Sequence, residues 1–185
     1  MRIHYTTKYL MDPQHRITVG LVGCGGTGSQ VLSALARMNL ALVALGHTGL
    51  LVTAYDADVV TDANVGRQLF SPADVGQNKA VVSVTRINRF FGLDWRAISE
   101  MYASTWVRAN RPDSNHNILI TCVDSAKTRV AISKLFIEGK GYEPYNKSMY
   151  WLDFGNLKST GQAVLGTVQE VKQPESKFET TGKLK

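Results

Sequence analysis

The sequence predicts a single α/β domain with a mainly parallel sheet and helices on both faces of that sheet. One near-continuous apolar run, residues 17–22, leads into a glycine-rich turn and a helix. A second run, residues 50–55, and a third, residues 118–123, each end directly on an aspartate. Apolar runs of this kind are typical of parallel strands that helices cover on both sides. The first half therefore has the β-α-β arrangement of a Rossmann-like fold.

The glycine-rich turn predicts a nucleotide site. Gly23, Gly25 and Gly28 satisfy the spacing G-x-G-x-x-G between the first strand and the first helix. Glycines permit a tight turn and let backbone N–H groups approach phosphate oxygens, and the helix N-terminus adds about half a positive charge. Taken alone, the motif fits dinucleotides and ATP equally.

The elements after this turn follow from apolar periodicity and from glycines that end helices. The helix behind Gly28 has apolar residues at a spacing near 3.6 and ends at residues 46–49. Residues 57–78 show little regular pattern, and a loop of this length inside a domain is usually functional or disordered; its apolar residues argue against disorder. The later elements are predicted as a helix over residues 79–91, a strand over 95–101, a short helix over 104–110, a strand over 118–123, a helix over 125–138, and strands over 149–154 and 163–168.

The two ends of the chain differ from the middle. Residues 1–16 form a short leader of mixed character. Residues 169–185 combine acids with lysines and have little apolar surface to bury, so we expect a flexible tail. The domain itself is predicted over residues 17–168, and its last two strands are candidates for an antiparallel pair.

Composition excludes several classes of protein. The chain has 185 residues with an apolar fraction of 44%, which suits one soluble globular domain. Its two cysteines, Cys24 and Cys122, argue against a disulfide scaffold, so we expect a reducing, cytoplasmic compartment. No apolar run reaches the roughly 20 residues that span a bilayer. The net charge of +6 is spread along the chain without a basic block, so membrane and nucleic-acid binding are not expected.

Charged residues follow the ends of the predicted strands, where ligands bind in open α/β sheets. Asp56 and Asp124 each follow a strand, and Arg67 and Lys79 lie in or next to the long loop. Two cations suit phosphate groups, while one acid suits Mg²⁺ and another suits ribose hydroxyls. This set favours nucleoside triphosphate chemistry, because a dehydrogenase has no clear need for the two cations. Asp124 also suits the N-cap of the following helix, a role compatible with metal binding.

Five sequence blocks resemble the ThiF/MoeB/HesA family, the bacterial relatives of ubiquitin-activating enzymes. The blocks are residues 23–29 (GCGGTGS), 56–58 (DAD), 64–68 (NVGRQ), 75–79 (VGQNK) and 121–124 (TCVD). Residues 64–72 and 89–95 further resemble the ThiF-family proteins of PRTRC gene clusters. The resemblance covers residues 17–168, which we therefore expect to form a ThiF-like, ATP-binding adenylation domain.

The resemblance implies a reaction and a set of residues. Enzymes of this family bind Mg²⁺ and ATP and join AMP to the C-terminal carboxylate of a small ubiquitin-like or sulfur-carrier-like protein. By this resemblance, Arg67 and Lys79 contact the triphosphate, Asp124 coordinates Mg²⁺, and all three are catalytic. The nucleotide-binding residues are then Gly23, Gly25, Gly26, Gly28, Ser29, Asp56, Asp58, Asn64 and Gln68. A homodimer is expected on the same basis.

The sequence departs from the family in ways that keep alternatives open. No cysteine follows Cys122, so a thioester step is not expected, and a zinc site built from two C-x-x-C pairs is absent. Family members are generally longer, which implies a shortened or truncated member. One alternative is a non-catalytic, nucleotide-binding interaction module. The other is an NAD-dependent oxidoreductase, which depends only on the glycine turn and Asp56.

Overall fold

A six-stranded sheet forms the centre of the computed structural model, which describes residues 2–102, 115–138, 147–156 and 159–184. The elements in chain order are α1 (Lys8–Met11), β1 (Ile17–Val22), α2 (Gly26–Ala44), β2 (Leu50–Tyr55), two 3-10 turns (Asp62–Asn64 and Pro72–Asp74), α3 (Lys79–Phe91), β3 (Arg96–Ile98), β4 (Ile118–Thr121), α4 (Ala126–Glu138), β5 (Tyr150–Asn156) and β6 (Gly161–Thr167). No helix within these ranges is long and apolar enough to cross a membrane.

The strand order is β3-β2-β1-β4-β5-β6. Strands β1 to β5 run parallel to their neighbours, and β6 pairs with β5 in the antiparallel sense. The chain moves outward from β1 to one side through β2 and β3, then crosses to the other side at β4. The carboxyl ends of β1 and β4 therefore flank a topological switch point, where open α/β sheets bind ligands. The predicted mainly parallel α/β fold is confirmed, as is the antiparallel final pair.

Helices cover the sheet on both faces, because successive strand residues point to opposite sides. One buried cluster joins Val19 and Leu21 of β1 to Leu32 of α2 and Val84 of α3. The other cluster includes Ile132 of α4. It also contains Val22, Tyr55 and Leu119 from β1, β2 and β4. Because both faces of the sheet are covered, most successive residues of β1, β2 and β4 are buried, and the sequences of these strands are near-continuous apolar runs.

Several predicted boundaries match the structure and others do not. The limits of β1, β2 and α3 agree with the sequence prediction. The helix predicted after Gly28 begins earlier, at Gly26, because the glycine turn itself enters the first helical turn. The strand predicted over residues 95–101 is confined to Arg96–Ile98. The short helix predicted over residues 104–110 lies outside the described residues.

The N-terminal leader and the C-terminal tail lie against each other. Ile3 forms a parallel bridge with Thr180, and its N–H donates to the carbonyl of Glu179 at 2.9 Å. The His4 ring lies 2.7 Å from both the Thr181 carbonyl and the Tyr150 hydroxyl, which belongs to β5. This packing was not predicted from the sequence, because it depends on side chains far apart in the chain. The mobility of the tail stays a prediction.

Candidate functional site

A cleft of about 600 Å³ opens at the carboxyl ends of β1, β2 and β4. It lies at the topological switch point described above. Most of the site residues predicted from the sequence line it, namely Gly23, Gly25, Gly26, Asp56, Asp58, Arg67, Gln68, Lys79 and Asp124. The fold therefore collects residues from five separate stretches of sequence around one cavity.

The glycine turn is closed by direct backbone packing. Gly23 has φ +93°, a conformation that favours glycine, and its N–H donates to the Tyr55 carbonyl at 2.8 Å. A Cβ on Gly28 would lie 1.8 Å from the Gly23 carbonyl oxygen, so only glycine fits there. Gly28 does not line the cleft. In this fold it lets α2 approach the end of β1.

Ser29 was also predicted to bind nucleotide, and the structure places it elsewhere. Its side chain is buried, and its hydroxyl donates to the Gly26 carbonyl at 3.2 Å. The hydroxyl thus bonds to the backbone of its own helix, as serines inside helices commonly do. Ser29 is absent from the cleft lining among the described residues.

Asp56 fixes the glycine turn to the end of β2. Its two carboxylate oxygens accept hydrogen bonds from the N–H groups of Cys24, at 2.6 Å, and Asp58, at 2.9 Å. Burial raises the pKa of Asp56, and these two hydrogen bonds partly offset that rise. A carboxylate has about four acceptor positions, so Asp56 retains capacity for ribose hydroxyls.

Lys79 reaches the cleft because Asn78 fixes the start of α3. The Asn78 side chain accepts from the Val81 N–H at 3.1 Å and donates to the Asp56 carbonyl at 2.7 Å. This cap ties the helix to the end of β2. The Lys79 ammonium then donates to the Asp58 carboxylate at 2.9 Å. Asn78 was not named as a site residue, although an asparagine before an apolar helix is a recognisable capping signal.

The long loop contributes Arg67 and Gln68, whereas Asn64 holds the loop together. Asn64 is buried, and its carboxamide oxygen accepts from the Thr61 N–H at 2.9 Å. Asn64 therefore closes a capping box and does not line the cleft. The Arg67 side chain is exposed, and its Nε donates to the Ala63 carbonyl at 3.2 Å.

Gln68 carries a buried acceptor that no group of the described residues satisfies. Its Oε1 is buried without a hydrogen-bond partner. The side-chain amide lies beside the glycine turn, since a Cβ built on Gly25 would be 3.7 Å from Gln68 Nε2. A buried polar atom without a partner is unusual in a folded protein. A ligand donor in the cleft would satisfy it.

Asp124 is exposed at the cleft and does not cap the helix that follows it. Ser125 has that role, because its hydroxyl accepts from the Thr128 N–H at 3.3 Å. Within the described ranges, no group of three or more histidine, cysteine, aspartate or glutamate side chains could hold a metal ion. Mg²⁺ often binds through one or two carboxylates together with substrate phosphates and water. The exposed Asp124 carboxylate at the cleft fits that mode of binding.

An aromatic wall completes the cleft and was not predicted. The rings of Tyr55 and Tyr102 meet edge to face at 5.0 Å, and Met101 and Ile132 also line the cavity. The Tyr55 hydroxyl lies 2.9 Å from Nε2 of His116, which is buried behind it. Burial lowers the pKa of His116 to about 4. Only the position of Tyr55 at a strand end could have indicated this wall from the sequence.

Neither cysteine has the environment of a nucleophile. Cys24 is buried, and burial raises the pKa of its thiol well above the ordinary value. Burial also raises the pKa of Cys122 to about 12. Because the thiolate is the reactive form, burial disfavours reaction at both side chains, although Cys122 lines the cleft. Both cysteines therefore act as small apolar residues in the packing.

Comparison with known proteins identifies relatives of this architecture. The model of the ThiF family matches residues 9–177. No curated protein matches the chain. Two similar solved structures are "TcdA (CsdL)" and the E. coli tRNA N6-threonylcarbamoyladenosine dehydratase TcdA, each with a TM-score of 0.53 and 22% identity over 74% of this chain. The matched regions cover 54% and 55% of those chains, so this chain spans about half their length.

Proposed function

Because the chain belongs to the ThiF family, we propose that it is an ATP-dependent adenylyltransferase. Its substrate is the C-terminal carboxylate of a small ubiquitin-like or sulfur-carrier-like protein. A carboxylate oxygen forms a bond to the α-phosphorus of ATP. The bond from that phosphorus to the bridging oxygen breaks, and pyrophosphate leaves with the electron pair. The products are an acyl-adenylate and pyrophosphate.

One observation carries this proposal: two cations and an acid face the glycine turn across a single cleft. Arg67, Lys79 and Asp124 line the same cavity as Gly25 and Gly26. The cations and the backbone N–H groups at the start of α2 suit the negative charge of a triphosphate. A dinucleotide site requires the glycines and the ribose acid but not both cations. The arrangement therefore favours ATP over NAD.

The remaining cleft residues suit the nucleoside part of ATP. Asp56 keeps acceptor capacity for the ribose hydroxyls, as argued above. The unsatisfied Oε1 of Gln68 accepts a hydrogen bond from a ligand N–H or O–H group. Met101, an exposed apolar side chain of the cleft lining, offers an apolar surface to the base. Lys79 exchanges the Asp58 carboxylate for a phosphate oxygen when ATP binds.

Asp124 is the residue that would hold Mg²⁺. When bound, this ion neutralises phosphate charge and helps to orient the departing pyrophosphate. The exposure of the Asp124 carboxylate at the cleft supports this role. We further propose a homodimer, as the family resemblance implies. A cytoplasmic location is supported by the two free thiols, Cys24 and Cys122.

The first test combines ligand binding with turnover. A ligand at 100 times its dissociation constant adds about 2.7 kcal/mol of stability, which a thermal-shift assay resolves. We expect stabilisation by ATP with Mg²⁺, less with EDTA, and none with NAD. Pyrophosphate exchange in the presence of a candidate carrier should fall on the order of 10²–10³-fold in Arg67→Ala and Asp124→Asn. Lys127→Ala, an exposed cation of α4 outside the cleft, should behave as wild type.

Other outcomes would support other functions. Stabilisation by NAD alone, or full exchange in both site variants, would overturn the proposal. Binding of ATP without pyrophosphate release, with every candidate carrier, would indicate the non-catalytic module. One similar structure is named for a tRNA nucleoside. A tRNA-linked carboxylate is therefore the second candidate substrate, to be tested in the same exchange assay.

A further inference from the structure

Arg129 joins helix α4 to the ends of two strands. Its Nε donates to the Asp153 carboxylate, with distances of 3.0 and 3.1 Å to the two oxygens. Its Nη2 donates to the carbonyl of Val123 and, at 3.2 Å, to the carbonyl of Phe154. The side chains of Arg129 and Asp153 are 23% and 16% exposed. One guanidinium therefore connects the β4–α4 loop to strand β5.

Side chains of β4 and β5 fix the Asp153 carboxylate that binds Arg129. The Thr121 hydroxyl donates to Asp153, and the same hydroxyl oxygen accepts from the Trp151 indole N–H at 2.9 Å. Thr121 belongs to β4 and pairs directly with Asp153 in the parallel register. The carboxylate that receives Arg129 is thus fixed by both strands.

The loop that Arg129 holds is the one that carries Asp124. Val123, whose carbonyl accepts from Arg129, immediately precedes Asp124 in the chain. On the same side of Asp124, the Cys122 N–H donates to the Val22 carbonyl at 2.8 Å. On the other side, Ser125 caps α4. The exposed Asp124 carboxylate therefore lies on a short loop that is held on both sides. Arg129 is not among the residues that line the cleft.

We propose that Arg129 is a positioning residue for Asp124. It holds the peptide before Asp124 against β5, so that the carboxylate stays where a metal–phosphate complex can reach it. This inference depends on the proposed function for the role of Asp124, but the contact with the loop stands by itself. Partners that orient a metal ligand typically change metal affinity or activity 10–100-fold when they are lost.

The contacts require arginine rather than any cation. The guanidinium is planar and has five donors in a fixed fork, which serves a carboxylate and two carbonyl groups at once. Lysine has one compact ammonium on a flexible stem. Arg129→Lys therefore keeps a positive charge beside Asp153 but loses the bridge to Val123 and Phe154. This variant avoids the unpaired buried carboxylate that Arg129→Ala would leave.

The matched control is Arg16→Lys. Arg16 also pairs with an aspartate, Asp94, through two contacts of 2.5 and 3.0 Å. It lies just before β1, at the amino ends of the strands, whereas the cleft lies at their carboxyl ends. Arg16→Lys removes a comparable two-point contact between a guanidinium and a carboxylate, and it leaves the loop that carries Asp124 undisturbed.

The experiment compares the magnesium requirement of these variants. In pyrophosphate exchange, Arg129→Lys should raise the half-maximal Mg²⁺ concentration about 10–100-fold, while ATP affinity in EDTA and the behaviour of Arg16→Lys stay unchanged. In the double variant with Arg129→Lys and Asp124→Asn, the two reductions in exchange rate should not multiply, because both changes affect the Asp124 carboxylate. Losses that multiply fully, or an unchanged magnesium requirement, would overturn the inference.

A second measurement separates this inference from the proposed function. Hydrogen–deuterium exchange of the free protein reports the loop without any turnover. Amides of residues 122–125 should exchange faster in Arg129→Lys than in wild type or Arg16→Lys, while α3 is unaffected. If wild type shows no pyrophosphate exchange, the adenylation proposal fails, and the amide exchange still decides whether Arg129 holds the loop. Equal exchange in all three proteins would refute that contact.

Discussion

Lys79 and Asp58 form an ion pair of 2.9 Å in which the cation is held by the fold and the anion faces solvent. The Lys79 side chain is 11% exposed and the Asp58 side chain 71%. Because Lys79 is the first residue of α3, behind the Asn78 cap, its ammonium is confined to the cleft. Asp58 can turn away into water. Because of this asymmetry, Lys79 can exchange the Asp58 carboxylate for a phosphate oxygen.

The first prediction concerns that exchange. Lys79→Ala should lower the rate of pyrophosphate exchange on the order of 10²–10³-fold, because a charge that stabilises the transition state is lost. Lys79→Arg should retain part of the exchange rate, since the guanidinium keeps the positive charge but differs in shape from the ammonium. The measurement is the exchange rate at saturating ATP, with Lys127→Ala as the control for a lost surface charge. An unchanged rate in Lys79→Ala would remove this residue from the mechanism.

The second prediction separates two glycines of the same turn. Gly28→Ala places a Cβ 1.8 Å from the Gly23 carbonyl oxygen, a backbone atom that cannot move away easily. We expect a loss of about 3 kcal/mol or more in unfolding free energy. In Gly26→Ala the nearest atom is Gln68 Cγ at 3.9 Å, an ordinary contact, so the fold should survive. Urea denaturation of both variants tests this, and equal midpoints would show that the turn tolerates a side chain.

The third prediction concerns the loop that carries Arg67. Asp74 accepts from the Ser71 N–H at 2.6 Å and pairs with Arg86 of α3. Burial opposes ionisation of Asp74, but the contacts with Ser71 and Arg86 outweigh it and lower its pKa. Asp74→Asn should cost about 1–3 kcal/mol and free the loop from α3.

Limited trypsin digestion reports this change, because Arg67 is an exposed cleavage site in the loop. Cleavage after Arg67 should be faster in Asp74→Asn than in wild type. Asp62→Asn, which changes an exposed acid in the neighbouring 3-10 turn, is the matched control. Equal digestion of all three proteins would show that Asp74 does not hold the loop.

The fourth prediction is a pH dependence that arises from His116. Burial lowers its pKa from 6.5 to about 4, so the folded protein holds the neutral ring. Above pH 6.5 both states are neutral and the stability is unaffected. Between pH 6.5 and 4 the unfolded chain binds a proton that the folded one does not, and stability falls by up to about 3 kcal/mol.

His116→Phe keeps a ring against Gly20 and removes the titrating group. The variant loses the hydrogen bond to Tyr55, so it should be less stable at neutral pH, yet its stability should fall less steeply between pH 6.5 and 4. Chemical denaturation at several pH values measures this, with the exposed His15→Gln as control. A slope identical to that of wild type would exclude His116 as its source.

The sequence could predict much of the site because strand ends of a parallel sheet meet at one edge. Asp56 and Asp124 follow apolar runs, and Lys79 begins a helix marked by Asn78 and an apolar face. Arg129 and Asp153 could not be paired in this way, since they lie 24 residues apart and belong to no local motif. Tyr102 was missed for a similar reason, because only the packing of neighbouring strands brings it to the cleft.

The sequence by itself determined the fold class, the limits of β1, β2 and α3, and the family. Apolar runs, glycine spacing and caps are local signals, and they specify local structure directly. Only the tertiary structure decided which polar side chains face the cleft. Asn64 and Ser29 have the chemistry of ligand-binding residues, but their side chains bond to nearby backbone inside the protein. Whether a polar side chain meets a ligand or the backbone depends on packing between distant segments, which no local pattern records.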